Sequence, residues 1–242
     1  MRRRIDRSSP TFLPPTQAQR AEGTPFGPEL EMWEQGLVVI GTDEAGRGPL
    51  AGPVVVGATC FEPGVVLPGI NDSKALSEAR REELFDLIQA KALAWSIAES
   101  SPQLIDELNI LGATRDAMIR AVREVAQAVG ADYPTILVDG RIPNLGFGRH
   151  LNIVKGDSLS FSIGAASILA KVHRDRLMRD LANQYPGYGL EQHKGYPTEA
   201  HRAAVMALGP SPIHRMSFTL SNGNGDRIAI GEITSSVSGT HR

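Results

Sequence analysis

Apolar positions along the chain follow two periods. Leu37–Ile40 and Val54–Ala58 are dense in β-branched residues and read as buried strands, while the glycine- and proline-rich stretch between them can continue neither. A hairpin with polar chemistry at its bend is the expectation. Ser77 suits the N-cap of a helix that carries Leu84, Leu87 and Ile88 on one face and runs to about Leu93. A short strand, Ala94–Ala98, comes next, and Ser101-Pro102 opens a small helix. From about Asn109 a longer helix is predicted, because Met118, Val122, Val125 and Val129 recur at helical spacing before Gly130 ends the pattern. Two further strands are predicted, Thr135–Val138 and His150–Lys155, followed by a Gly/Ala/Ser-rich segment, Ser160–Asp175, fit for a helix packed closely on a sheet. Strands interleaved with helices in this way define an α/β class.

The two ends lack such a period. Residues 1–34 are rich in Arg, Pro, Thr and Glu and are expected to form a disordered extension; residues 221–242 are expected to form a disordered tail. One catalytic domain, 35–220, remains between them. A length of 242 residues with 41% apolar content supports one sizeable core. The net charge of -2 argues against bulk attraction to nucleic acid, although Arg2, Arg3, Arg4, Arg7 and Arg20 crowd the start, so any such binding must come from a local patch. Cys60 is the sole cysteine, which rules out an internal disulfide, and its apolar strand is the setting of a buried structural thiol. No apolar run approaches the roughly 18 residues of a membrane span, and the arginine-rich start lacks the features of a signal peptide. A cytoplasmic monomer with no membrane partner is expected.

Chemistry concentrates where strands end. Asp43 and Glu44 are adjacent acids at the end of a buried strand, where alternation turns one of them inward, and a cation would resolve that conflict. Gly46 and Gly48 flank Arg47 without side chains, so the backbone there can approach a phosphate or sugar. Asp139 ends the next buried strand and can meet Asp43 if the two strands are neighbours; taken alone it also suits the start of a turn. Asp157 precedes the close-packed helix as a cap, a partner of the other acids, or both. Lys74 stands just before a helix N-terminus, where its charge does nothing for the dipole, which favours a ligand-facing role; taken alone it reads as an ordinary surface lysine. Tyr196, in a run of turn and basic residues, can stack on a sugar or base.

Four separated segments together resemble the ribonuclease HII family of bacteria: Asp43-Glu44-Ala45-Gly46-Arg47-Gly48-Pro49-Leu50-Ala51-Gly52-Pro53-Val54, Asp72-Ser73-Lys74, Ser160–Asp175, and His193-Lys194-Gly195-Tyr196-Pro197-Thr198. The resemblance spans about Leu37 to Phe218 and ends in His214-Arg215-Met216-Ser217-Phe218. It implies a ribonuclease H-like fold: a mixed five-stranded sheet flanked by helices, with a small C-terminal helical segment that helps cradle the duplex. It also implies that Asp43, Glu44, Asp139 and Asp157 are catalytic and hold two divalent ions, Mg²⁺ or Mn²⁺, the cations that hard oxygen ligands suit. Substrate binding by Gly46, Arg47, Gly48, Lys74 and Tyr196 is implied in the same way, with the turn and the tyrosine recognising the ribonucleotide at an RNA–DNA junction.

The expected activity is therefore hydrolysis of the RNA strand of RNA/DNA hybrids and nicking 5′ of ribonucleotides embedded in duplex DNA, leaving 3′-OH and 5′-phosphate, in the service of ribonucleotide removal. An actin-like phosphotransferase would also open with a strand, an acid and glycines, but the chain shows no second nucleotide-binding half. A non-catalytic duplex-binding module leaves four acids without a purpose, because bare carboxylates repel phosphates.

Overall fold

The computed structural model describes residues 27–65, 67–70, 76–221 and 227–233. Its residues fall into two compact units. The first takes residues up to Glu44, Val56–Ala98 and Ala117–Val172; the second takes Ala45–Val55, Glu99–Asp116 and residues from His173 onward.

The elements in chain order are α1 (Gly27–Glu34), β1 (Val39–Ala45), β2 (Val54–Cys60), α2 (Glu78–Lys91), β3 (Ala94–Ser100) and α3 (Pro102–Val129). They continue with β4 (Thr135–Asp139), β5 (Arg149–Ile153), α4 (Gly156–Leu159), α5 (Phe161–Gln184), α6 (Leu190–His193), α7 (Glu199–Leu208), β6 (Thr219–Ser221) and β7 (Arg227–Ala229). A 3₁₀ turn, Ile230–Glu232, follows β7. The mixed five-stranded sheet that the resemblance implies has the order β3-β2-β1-β4-β5, with β1, β4 and β5 parallel. Ser77 caps α2 by accepting the Arg80 N–H, as the sequence predicts. The predicted boundary at Asn109 is real: its left-handed backbone interrupts α3, and its side chain accepts the N–H groups of Leu111 and Gly112 to restart the helix.

In the first unit, alternation along the central strands divides the core between two faces. Val39 and Leu137 pack with Trp33 of α1, Ile88 of α2 and Phe161 of α5, whereas Ile40, Ile136 and Val138 pack with Met118, Val122 and Val125 of α3. Gly41 and Gly57 leave room for α5: a Cβ on Gly41 would lie 2.3 Å from the Ser162 carbonyl carbon, and one on Gly57 would lie 2.2 Å from the Ala166 carbonyl oxygen. Burial pushes the Cys60 thiol up to about 12, the state of an inert structural cysteine. In the second unit, Leu50, Met178, Tyr188, Leu190, Val205 and Ile213 form a separate core around the small helices α6 and α7. Among the described residues, no helix is long and apolar enough to cross a membrane.

Three expectations need correction. The first concerns the extension 1–34, whose residues 27–34 form α1: Pro28 fits its first turn, and Glu29, Met32 and Trp33 are buried. Eight residues are too few to register as a period, yet two large apolar side chains suffice to dock them. The second concerns the tail: residues 227–229 pair with Thr219–Ser221, and Ile230 is buried. The third concerns the bend, because β1 runs through Ala45, so Asp43 and Glu44 lie within the strand.

Candidate functional site

The acids gather because two parallel strands are neighbours. β1 and β4 align Val39 with Thr135 and Thr42 with Val138, so one further step of the same register brings Asp43 level with Asp139. Strand order changes direction between β1 and β4, and ligands of α/β sheets collect at the carboxyl ends of strands at such a point. Asp43 is buried; Glu44 and Asp139 are half-buried. The Asp43 carboxyl is held well above the usual carboxylate range, first by burial, then by the charges of Glu44 and Asp139. A hydrogen bond from Ser167 of α5 and the Glu44 N–H, 2.7 Å from Asp43 Oδ1, oppose that shift.

Asp157 arrives by another route. Lys155 takes a left-handed conformation and turns the chain into the single-turn helix α4, on which Asp157 is buried. The Gly156 N–H donates to Asp139 Oδ1 at 2.6 Å, which ties the start of α4 to the end of β4. A side chain on Gly156 would press on that contact, since its Cβ would lie 3.2 Å from the same oxygen. Three of the four predicted acids thus influence one another directly, and the fourth follows a residue bonded to one of them.

The donor set fits divalent cations: all four side chains present hard oxygens, and the charges of Glu44 and Asp139 add to burial in raising the cost of ionising Asp43. Among the described residues, no three His, Cys, Asp or Glu side chains close around a single point.

In the second unit the Gly-Arg-Gly turn is built on two buried arginines. Arg215 donates from Nε to the Gly52 carbonyl at 3.0 Å, from Nη1 to those of Arg47 and Pro49 at 2.9 and 2.7 Å, and from Nη2 to that of Gly46 at 2.6 Å. Arg174 donates to the Pro53 and Ala51 carbonyls at 3.1 and 3.2 Å. Burial, then the charge of Arg174, pulls the Arg215 guanidinium down to about 9. Gly46 adopts φ +93°, and a Cβ there would lie 2.0 Å from Arg174 Nε, so no other residue fits. Arg47 and Gly48 are exposed at the tip.

Tyr196 belongs to the same unit. A Cβ on Gly48 would come within 3.8 Å of its ring, and the Arg174 guanidinium carbon lies 6.0 Å from the ring centroid. The ring is 44% exposed, while its backbone is anchored: the Tyr196 carbonyl accepts from Thr198 N–H at 2.8 Å and from His201 Nδ1 at 3.0 Å. That bond sets a whole chain of tautomers. With Nδ1 donating, neutral His201 must accept at Nε2 from His214 Nε2, 3.2 Å away, and His214 Nδ1 then accepts from the Ser211 N–H at 3.0 Å. Both rings are buried, which lowers each to about 4 and keeps them neutral.

Of the predicted residues, Asp43, Glu44, Asp139 and Asp157 gather in the first unit, and Gly46, Arg47, Gly48 and Tyr196 in the second. Lys74 lies outside the described residues. Sequence reasoning assigned no role to Arg174, Arg215, Ser167 or the histidine pair. Arginine carries no periodic signal of burial; the one available hint is that Arg215 belongs to the recognisable segment His214–Phe218.

Residues 40–221 match the family model described as Ribonuclease HII. A curated Ribonuclease HII from Geotalea uraniireducens is 53% identical over 182 residues, covering 74% of this chain and 82% of that protein. Among solved structures, the PCNA:RNase HII complex from Archaeoglobus fulgidus matches at TM-score 0.58 and 26% identity, over 70% of this chain and 87% of that one. Bst-RNase HIII in complex with Mn²⁺ matches at TM-score 0.56 and 20% identity, over 83% of this chain and 67% of that one, which bears on the fold alone.

Proposed function

The chain belongs to the ribonuclease HII family and is a metal-dependent endoribonuclease acting on RNA/DNA hybrids; we propose that it uses Asp43, Glu44, Asp139 and Asp157 to hold two ions, Mg²⁺ or Mn²⁺. The observation that carries this reading is the β1–β4 register, which brings Asp43, beside Glu44, level with Asp139; burial, then the charges of Glu44 and Asp139, raises the Asp43 carboxyl. Clustered acids of this kind cost the fold stability unless a cation neutralises them. When bound, such ions activate water and neutralise charge on the leaving oxygen of an in-line displacement. Asp139 does two things at once, presenting one carboxylate to the cluster while tying α4, and hence Asp157, to β4 through Gly156.

The turn and Tyr196 serve recognition. Arg215 and Arg174 engage the turn's carbonyls, so its backbone path is set before substrate arrives, and backbone N–H groups at Gly46 and Gly48 can meet a ribose hydroxyl or phosphate without steric cost. The exposed Tyr196 ring stacks on the following deoxyribose and its hydroxyl meets the ribonucleotide, which directs nicking to the 5′ side of embedded ribonucleotides. Lys74 completes the substrate contacts. The enzyme acts as a cytoplasmic monomer in ribonucleotide removal.

A duplex carrying one ribonucleotide tests the whole reading. Mg²⁺-dependent nicking by the parent and none by Asp139→Asn is expected; near-normal turnover by that variant would sink the assignment of the carboxylates.

A further inference from the structure

Asp157 is carried by a helix that cannot hold itself. One turn of four residues is below the length at which helical hydrogen bonds offset the cost of nucleation, so α4 takes its position from whatever grips its two ends. The front is gripped by Asp139 through the Gly156 N–H. The back runs directly into Ser160, whose N–H bonds the Gly156 carbonyl at 2.8 Å and whose Oγ caps α5 by accepting the Ile163 N–H at 3.1 Å.

That rear joint is held from outside by Glu29. Its Oε1 accepts the Ser160 hydroxyl proton and also the Ser162 N–H at 2.9 Å, which places a fully buried carboxyl at the N-terminus of the 24-residue helix α5. Met32 and Trp33 of the same helix pack against Phe161 in the core, and Gly27 comes so near α4 that a Cβ on it would lie 2.6 Å from the Leu159 carbonyl oxygen. Burial raises the Glu29 carboxyl, and its bonds to Ser160 and Ser162 oppose the shift. A buried acid is a costly way to fasten a helix to a core, since an apolar contact would serve. Its two bonds go to the joint that ends α4. Glu29 also lies outside residues 40–221, the segment the family model matches.

We propose that Glu29 is a positioning residue of the metal centre, fixing Asp157 through the Ser160–Ser162 joint. This inference rests on the reading of Asp157 as a metal-holding residue. It extends the working centre of the enzyme into the N-terminal helix.

The test is Mn²⁺ binding to the full chain, read by the electron paramagnetic resonance signal of the free ion, alongside cleavage at varied Mn²⁺. Loss of an outer hydrogen-bonding partner of a ligand shifts metal affinity about 10- to 100-fold, and Glu29 acts one link further out. Glu29→Ala is accordingly expected to raise the half-saturating Mn²⁺ about tenfold and Glu29→Gln about fivefold, with the KM for duplex unchanged and kcat largely restored at saturating Mn²⁺. If the alanine variant does not fold, the glutamine variant decides. A Glu29→Gln protein that binds Mn²⁺ within twofold of the parent, whatever its melting temperature, overturns the proposal. Asp157→Asn keeps the two readings apart. It should abolish the tighter Mn²⁺ binding; parent-like binding there overturns the carboxylate centre itself and this inference with it.

Discussion

The carboxylate cluster of the first unit and the arginine-built turn of the second bury charge in opposite ways. Asp43, Glu44 and Asp139 are neighbouring like charges, and the charges of Glu44 and Asp139 add to burial in making Asp43 harder to ionise. Arg215 is fully buried and lies beside another arginine, yet its guanidinium meets the carbonyls of Gly46, Arg47, Pro49 and Gly52. In one arrangement neighbouring charges oppose the ionisation of a buried carboxyl; in the other a buried cation is met by backbone carbonyls. The difference is one of role: crowded like charges suit the proposed cation site, whereas a buried cation met by several carbonyls holds a backbone in place.

The comparison breaks most visibly at Asp139. Asp139→Asn is expected to lower kcat about a thousandfold or more, since the several kcal/mol that bound cations contribute would be lost. Without metal its melting temperature should match or exceed that of the parent, because a repulsion is removed. Mg²⁺ should raise the melting temperature of the parent alone. A metal-free variant that melts well below the parent would mean that Asp139 is chiefly structural.

Arg215 should behave in reverse. Arg215→Met leaves several buried carbonyls without donors, a cost of about 3 kcal/mol or more and hence a fall of roughly 6 °C or more in melting temperature, with or without Mg²⁺. A shift of a degree or less in a thermal melt would refute the clamp.

A smaller effect is expected at Tyr196, which the turn and Arg174 border. Tyr196→Ala should reduce nicking at a single embedded ribonucleotide about tenfold, more than a typical hydrogen bond accounts for, because stacking is lost too. Cleavage of a continuous hybrid should fall less. Equal losses on both substrates would make Tyr196 structural.

The mildest test is pH. Burial lowers His201 and His214 to about 4 in the folded protein, below the ordinary value near 6.5. The unfolded chain therefore binds more protons between those values. Their contribution to stability is complete above about pH 6.5 and is lost as pH falls from there toward about 4. Melting temperature measured across that window should drop more steeply for the parent than for His201→Gln, and parallel curves would refute the neutral pair.

Much of the fold was legible from periodicity. Met118, Val122 and Val125 mark the buried face of α3, Ser77 marks the cap of α2, and the β-branched runs mark the central strands, because each is a local preference written in neighbouring residues. Helix α1 was not legible, since its helicity comes from Met32 and Trp33 finding a core supplied by distant elements. The same limit applied to Arg174 and Arg215, where only the folded chain shows that the partners are carbonyls some 120 to 170 residues earlier.

The sequence by itself determined the chemical inventory: four acids at or just past the ends of predicted strands, a glycine-flanked arginine in a turn, and an aromatic among basic residues. Tertiary structure alone decided which of these meet. Parallel pairing of β1 with β4 brought Asp43 level with Asp139, the Gly156 N–H tied Asp157 to them, and Glu29 was added from outside the recognisable segments. Residue types and spacings follow from local backbone preferences, but register and long-range hydrogen bonds are set by the packing of whole elements, which no short stretch of chain records.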